Sequence, residues 1–166
     1  MSNDNASNLA IHISLERQHL TLTDSAGNTL AEYPVSTAFN GPGEQDGSGC
    51  TPRGNHYVRA MIGAGQPIHT VYRGRRPTGE IYSPELGAEH PERDWILTRI
   101  LWLCGCESGK NRGGGVDTFR RFIYIHGTPE TEPMGVPLSH GCVRMRNHDV
   151  IDLFDRVSPG TAVSIC

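Results

Sequence analysis

Phe122-Ile123-Tyr124-Ile125-His126-Gly127-Thr128 and Ser139-His140-Gly141-Cys142, with twelve residues between His126 and Ser139, are the stretches that decide how this chain is interpreted. The first is a short apolar run that predicts a strand with His126 at its C-terminal end. The second sets Cys142 beside a glycine and a histidine. A thiol becomes a useful nucleophile when a base or a positive field raises its thiolate fraction, so the two stretches together predict an acyl-transfer site.

The glycine before Cys142 adds a second part of such a site. It lets the backbone N–H groups of Gly141 and Cys142 come close to a carbonyl oxygen, as an oxyanion hole requires. Cysteine is more often a buried, inert thiol, but the surrounding motif favours catalysis here.

Composition predicts a single domain of many short strands. The chain has 166 residues with 20 glycines and 11 prolines, which favours strands joined by turns over a helical bundle. Its net charge of −3 offers no electrostatic case for binding nucleic acid or an anionic membrane surface. The longest apolar run, 95–104, is interrupted by Thr98 and Arg99 and is too short to span a bilayer.

The periodicity of the chain predicts its main elements. Alternating apolar residues give two strands within 11–22, the run 95–103 predicts a buried strand, and 161–165 a closing strand. Asn147 is the expected N-cap of a helix that Ser158-Pro159-Gly160 ends. We therefore expect a mainly β domain over 9–166 with one or two short helices, and a polar, loose tail over 1–8.

The segment 63–121 is rich in glycine, proline and charge. We expect it to be an insertion, and its length and glycines suggest a lid over the cleft. The arginines within it, Arg73, Arg75-Arg76 and Arg120-Arg121, are interpreted as solvated faces in preference to substrate clamps, and an arginine of this loop that meets a sugar phosphate or a carboxylate is the alternative.

Cysteine usage and the N-terminus predict a cytoplasmic protein. Five cysteines cannot all pair within the chain, and a nucleophilic thiol among four others suits a reducing compartment. The first eight residues lack the basic start and apolar core of a secretory signal. A periplasmic location is expected instead if a leader has been removed.

The motif extends beyond the catalytic pair. His126-Gly127-Thr128, then Ser139-His140-Gly141-Cys142-Val143-Arg144-Met145 and Asn147, strongly resemble the signature of the L,D-transpeptidase (YkuD-like) catalytic domain. Thr51-Pro52-Arg53-Gly54 and the closing segment 160–165 resemble it as well. The resemblance covers nearly the whole chain apart from about 63–121.

This resemblance implies a mainly β, sandwich-like or barrel-like fold and a cysteine that attacks a peptidoglycan stem peptide. The bond is the amide between the third residue, often meso-diaminopimelate, and the terminal D-Ala, and the intermediate is a thioester. By matching position, Cys142 is the nucleophile and His126 its base, oriented by a backbone carbonyl near Gly127. The implied oxyanion-hole residues are His140, Gly141 and Cys142. The implied substrate-binding residues are Arg144, whose guanidinium suits a carboxylate, Ser139 and Tyr124.

The acceptor of the acyl group decides the reaction. Attack by water makes the enzyme an L,D-carboxypeptidase acting on free or sugar-linked tetrapeptides, and the expected cytosolic location favours this reaction in muropeptide recycling. Attack by an amine makes a cross-link or exchanges a D-amino acid. The expected partners are a stem tetrapeptide or muropeptide and carbapenem-type inhibitors, with no cofactor.

Two rival interpretations remain. Cys104-Gly105-Cys106 suggests zinc, with His126, His140 or Cys142 as further ligands, but it lacks the usual two-residue gap and no second pair follows, so no metal site is predicted. The other rival is an inactive module that binds stem peptides and has kept the fold. Labelling of Cys142 by a carbapenem separates that module from an enzyme.

Overall fold

Short strands build most of the protein, whose computed structural model describes residues 8–166. Residues 1–7 of the predicted tail lie outside the described residues. In β1 (Ala10–Ser14) and β2 (His19–Thr23) every second residue is buried, because successive side chains of a strand point to opposite faces. The other strands are β3 (Thr29–Ser36), β4 (Gly54–Ile62), β5 (Thr70–Arg73), β6 (Arg76–Ile81), β7 (Ile96–Gly105), β8 (Tyr124–Gly127), β9 (Val143–Met145) and β10 (Ala162–Ile165).

The strands close into a barrel. Their order is β4-β10-β1-β2-β3-β9-β8-β7-β5-β6, and an additional pairing between β4 and β7 joins the ends of the first eight. Strands β5 and β6 continue beyond β7 outside this ring. The predicted mainly β, barrel-like class is therefore confirmed, since a closed sheet removes the unpaired edges that an open one would expose.

One hydrophobic core fills the ring. Its members come from nearly every strand and from the last helix, so the barrel interior is packed with side chains. The largest fully buried side chains are Ile11, Ile13, Leu20, Leu22, Leu97, Ile100, Leu101, Leu103, Ile125, Met145, Leu153 and Ile165.

The segment 63–121 is not an insertion as a whole. It contains β7, which is buried along most of its length and pairs with β4, β5 and β8. Its other strands, β5 and β6, the short helix α1 (Pro84–Glu89) and a 3-10 turn at Gly114–Val116 stand outside the ring. Turn-forming residues on both sides of β7 conceal its place in the barrel, because pairing with distant strands leaves no local trace in the sequence.

Helix α2 (Asn147–Arg156) lies against β7 and β8 and buries Val150, Leu153 and Phe154. The predicted cap is wrong by one residue: Arg146 occupies the N-cap position, and Asn147 is the first helical residue with a buried side chain. The expected one or two short helices are confirmed within 8–166. None of the described helices is long and apolar enough to cross a membrane.

Candidate active site

Parallel pairing of β8 with β9 brings the two halves of the predicted motif together. Ile125 pairs with Val143 and His126 with Arg144, so Cys142 lies beside Tyr124 at the entrance to β9. His126 and Cys142 both line one pocket of about 270 Å³, called the cysteine pocket below. His126 and Cys142, which are sixteen positions apart in the sequence, are thus brought close together by two adjacent strands.

The His126 ring is held in one tautomer by the backbone. Its Nδ1 lies 2.6 Å from the carbonyl oxygen of Gly127, and because a carbonyl only accepts, Nδ1 must carry the proton. In a neutral ring this leaves Nε2 with a free lone pair, which is the form a general base needs. Burial lowers the pKa of His126, although the Gly127 carbonyl opposes that shift, so the ring is neutral at neutral pH.

The Cys142 thiol is held by two backbone groups. Sγ donates to the carbonyl oxygen of Phe122 at 3.3 Å and lies 3.3 Å from the N–H of Tyr124. Burial raises the pKa of Cys142 to about 12, and the charge of Asp94 adds to the increase, while the Tyr124 N–H opposes it. The resting pair is therefore a neutral thiol and a neutral imidazole, not a thiolate–imidazolium ion pair.

Side-chain hydrogen bonds shape the loop before Cys142. The Ser139 hydroxyl donates to the Cys142 carbonyl at 2.6 Å and accepts from the Gly141 N–H at 3.2 Å. Thr51 donates its hydroxyl to the Gly141 carbonyl at 2.8 Å. Ser139 is fully buried, so these contacts favour a loop-shaping role over contact with substrate. With the Gly141 N–H engaged, His140 and Cys142 are the candidate oxyanion donors in this state.

Glycine is required at two positions of the site. Gly141 has a φ of +133°, a conformation that L side chains rarely adopt, and an added Cβ would lie 3.3 Å from the Cys50 carbonyl oxygen. At Gly127 an added Cβ would collide with Asn147 Oδ1 and would lie 2.7 Å from the Leu97 carbonyl oxygen. Both glycines therefore permit close backbone contact that any side chain would prevent.

Arg144 is already paired with carboxylates. Its guanidinium lies 3.2 Å from Asp94 Oδ1 and 3.5 Å from Glu132 Oε2, and the residue is 8% exposed. Asp94 Oδ2 also lies 3.3 Å from His140 Nδ1. Burial of Asp94 is outweighed by His126, His140 and Arg144, which lower its pKa and keep it charged. Arg144 thus meets the predicted chemistry, but its partners are residues of the protein itself.

Two other arginines, Arg75 and Arg121, line the cysteine pocket together with Tyr124 and Phe122. Tyr124 accepts a hydrogen bond from Arg75 Nη1 at 3.1 Å, and burial raises the pKa of its phenol. The interpretation of these arginines as solvated faces is therefore wrong, although Arg73, Arg76 and Arg120 are exposed as expected. Gly74 was the only residue in the sequence that indicated the two-residue turn that carries Arg75.

A buried polar network supports the end of β8. Asn147 donates to the Thr128 carbonyl at 2.8 Å and to Glu130 at 2.9 Å, and it accepts from the Thr98 hydroxyl. Thr98 has a φ of +74°, an outlier for a β-branched residue, and the register of β7 shifts here opposite His126 and Gly127. Asp94, Thr98 and the inward role of Asn147 were not predicted, because each depends on contacts between distant segments.

Within residues 8–166, no group of three or more His, Cys, Asp or Glu side chains has the arrangement of a metal site. Of the cysteines behind the zinc alternative, Cys104 is buried within β7, and Cys106 is exposed just after the end of that strand. Although Cys106 is exposed, partial desolvation of its thiol raises the pKa of Cys106, and the neighbouring Cys104 adds to the increase, which disfavours the thiolate that zinc needs.

Comparison with known proteins agrees with this geometry. The family model of the L,D-transpeptidase catalytic domain matches residues 8–165. The probable L,D-transpeptidase YbiS of Escherichia coli K12 is 49% identical over 123 residues, which cover 68% of this chain and 39% of that protein. The chain thus spans less than half the length of this curated relative.

Solved structures show the same fold. L,D-transpeptidase 3 from Mycobacterium tuberculosis in complex with a faropenem-derived adduct has a TM-score of 0.58 at 15% identity, covering 95% of this chain and 60% of that one. The L,D-transpeptidase LdtMt1 in complex with imipenem has a TM-score of 0.57 at 17% identity, covering 96% and 59%.

Proposed function

Because this chain belongs to the L,D-transpeptidase catalytic domain family, we propose that it transfers the acyl group of a peptidoglycan stem tetrapeptide through a thioester on Cys142. The Sγ atom bonds to the carbonyl carbon of the third residue while its proton passes to Nε2 of His126. The bond to the D-Ala nitrogen then breaks, and His126 returns the proton to that nitrogen. D-Ala leaves, and the tripeptide remains attached to Cys142.

The observation that carries this proposal is the opening of Cys142 and a tautomer-fixed His126 into one pocket. Nδ1 of His126 is committed to the Gly127 carbonyl, which leaves Nε2 as the acceptor. The Cys142 thiol must first turn away from the Phe122 carbonyl to face that nitrogen. When substrate enters the pocket, the sulfur turns to face the carbonyl carbon of the substrate and no longer contacts the Phe122 oxygen.

A neighbouring pocket favours an amine as the acceptor. It shares Asp94, His140 and Arg144 with the cysteine pocket, and Glu92, Arg93 and Glu132 also line it. Arg144 is already paired there with Asp94 and Glu132, and Arg93 is paired with Glu80. The side chain of Glu92 is largely exposed and lies 3.7 Å from His90. An ammonium group that entered this side pocket would meet carboxylates within reach of the thioester. We therefore propose transpeptidation as the main reaction. Hydrolysis, the carboxypeptidase reaction predicted from the sequence, is the alternative.

A single incubation tests both steps. The protein is mixed with a defined tetrapeptide, first alone and then with a D-amino acid or a second stem peptide, and the products are analysed by mass spectrometry. A dimer or an exchanged D-amino acid supports transpeptidation. Tripeptide as the only product, even with amine in excess, supports carboxypeptidase activity.

The Cys142→Ala variant is the control for the nucleophile. We expect it to release no D-Ala while keeping the melting temperature of the unchanged protein, because the lost group is small and its role is chemical. Release of D-Ala by this variant would overturn the assignment. A carbapenem adduct on Cys142, found by mass spectrometry, excludes the inactive binding module, and that module remains if neither adduct nor turnover is found.

A further inference from the structure

We propose that Arg75 and Arg121 bind the free carboxylates that flank the scissile bond, and that Arg144 does not. This inference rests on the proposed function and names the substrate groups that the same pocket recognises. The ligand class is an anionic peptide end: the carboxylate of the terminal D-Ala and the side-chain carboxylate of a diaminopimelate-type third residue.

The three arginines of the cysteine pocket differ in whether they form ion pairs. Arg144 lies against Asp94 and Glu132, so its charge is already balanced. Arg75 and Arg121 form no ion pair with any residue in the described part of the chain, 8–166. A guanidinium that faces a pocket without a carboxylate partner keeps its attraction for an incoming anion.

Arg75 is directed into the pocket by a strained turn. Arg73 pairs with Arg76, and the two residues between them, Gly74 and Arg75, have φ values of +55° and +65°. Two-residue turns of this kind normally carry Asn-Gly, so an arginine at the second position is uncommon. Unfavourable backbone conformations persist where the surrounding structure holds them, and they gather at functional sites.

The Arg75 side chain is preorganised over aromatic rings. Its guanidinium carbon lies 4.7 Å from the Trp102 ring and 5.0 Å from the Phe122 ring, and Nη1 donates to Tyr124. These contacts use the face of the guanidinium and one of its N–H groups. The remaining edge is available to a carboxylate, and less side-chain freedom is lost on binding than at a mobile arginine.

Arg121 is held near the nucleophile by neutral acceptors only. Its Nη2 donates to the Cys50 carbonyl at 2.7 Å, and its Nη1 lies 3.3 Å from the Gly43 carbonyl. Burial lowers the pKa of this arginine, and the charges of Asp46, Cys50, Glu44 and Cys142 oppose that shift without forming an ion pair with it. Carbonyl dipoles position the guanidinium but do not balance its charge, so an anion beside Cys142 would be attracted.

The substrate's own charges match this arrangement. In a tetrapeptide the terminal carboxylate is separated from the scissile nitrogen by one carbon atom, and a diaminopimelate third residue carries a second carboxylate at the end of its side chain. A peptide placed with its carbonyl at Cys142 has its terminal carboxylate close to that pocket, and the flexible side chain of the third residue lets the second carboxylate reach the pocket wall. Three arginines and a single aspartate line those walls, which favours such a ligand.

The test combines two variants with two altered substrates. Arg75→Gln and Arg121→Gln are assayed for D-Ala release from the full tetrapeptide, from its C-terminal amide, and from a form whose third residue is lysine. Each variant should lower kcat/KM roughly 10- to 100-fold on the full tetrapeptide, as expected for the loss of a charge-assisted hydrogen bond. For each variant, one of the two altered substrates lacks the carboxylate that the arginine binds. On that substrate the variant should change kcat/KM less than about threefold.

Matched controls remove the same charge outside the pocket. Arg73→Gln, on the same hairpin, and Arg120→Gln, beside Arg121, should both stay within about threefold of the unchanged protein. Because Arg121 also holds the Gly43 and Cys50 carbonyls, its variant is checked for an unchanged melting temperature. Arg121→Lys provides a second test, since it keeps the charge and should retain more activity on the full tetrapeptide than Arg121→Gln.

Equal losses on all three substrates, or losses as large in the controls, would overturn the proposal. If the unchanged protein releases no D-Ala, the proposed function fails separately, and binding then decides this inference. Calorimetry of the tetrapeptide with Cys142→Ala, alone and combined with Arg75→Gln or Arg121→Gln, needs no turnover. Weaker binding in the combined variants supports carboxylate recognition, and equal or undetectable binding in all of them contradicts it.

Discussion

In the free enzyme, Cys142 should react slowly with iodoacetamide at neutral pH. Burial raises the pKa of this thiol to about 12. At pH 7 its thiolate fraction is then about 10⁻⁵, compared with about 3% for a thiol of pKa ~8.5. A more basic thiolate is also more nucleophilic, by roughly 40-fold for this difference if the usual dependence applies. The net expectation is labelling about 100-fold slower than that of a free cysteine.

Site-resolved mass spectrometry measures this rate. The labelled peptide must be identified, because Cys50, Cys104, Cys106 and Cys166 are also free thiols. Between pH 7 and 10 the rate at Cys142 should rise about tenfold per unit, as thiolate formation limits the reaction. A fast rate that stays constant between pH 5 and 8 would refute the neutral pair, because a preformed thiolate–imidazolium pair reacts that way.

The pH dependence of turnover follows from the same pair. Burial lowers the pKa of His126, so the ring loses its proton at a lower pH than an exposed histidine and remains a base further into acid. The acid limb of kcat/KM should therefore lie below pH ~6.5, the ordinary value for histidine. Loss of half the activity at or above that pH would contradict the assignment of His126 as a buried, neutral base.

Three substitutions test the supporting geometry. His126→Ala should lower kcat/KM by about 10²- to 10⁴-fold in D-Ala release, and near-normal activity would indicate another base. Asn147→Ala should lower the free energy of unfolding by about 2–4 kcal/mol in denaturant titration, because it leaves two buried partners unpaired. His148→Ala, on the exposed side of the same turn, should change it by less than about 0.5 kcal/mol. Gly141→Ala should reduce carbapenem labelling of Cys142, because its φ of +133° is strained for alanine, and unchanged labelling would contradict the need for this turn.

The sequence predicted the parts of the site that are local. The apolar run before His126 and the glycine before Cys142 determine a strand and a tight turn through their own backbone preferences. The parallel pairing of β8 with β9 was not predicted, but the connection between them is long enough to allow it. The alternation of buried residues in β1 and β2 is also a local pattern, and both strands were predicted correctly.

The residues that complete the pocket come from elsewhere in the chain. Asp94 lies just before β7, Arg75 in a hairpin outside the ring, and Arg121 before β8. None of them belongs to a motif, and an arginine in a polar segment is usually exposed. Their meeting depends on the closure of the barrel through β4 and β7, a pairing between positions about 45 residues apart that no local pattern encodes.

The resting contacts of Cys142 determine how much the site must change before it reacts. Ser139 ties the Gly141 N–H to the Cys142 carbonyl, and Thr51 holds the Gly141 carbonyl, so the backbone around the nucleophile is already in place. The sulfur alone has to leave the Phe122 carbonyl, and that movement is a rotation about one side-chain bond. Two weak hydrogen bonds oppose the rotation: the one that the thiol donates to Phe122 and the one that it accepts from the Tyr124 N–H. Their cost is small beside the binding of a peptide with two carboxylates. The barrier to acylation should therefore come from the proton transfer to His126 and not from rearrangement of the loop.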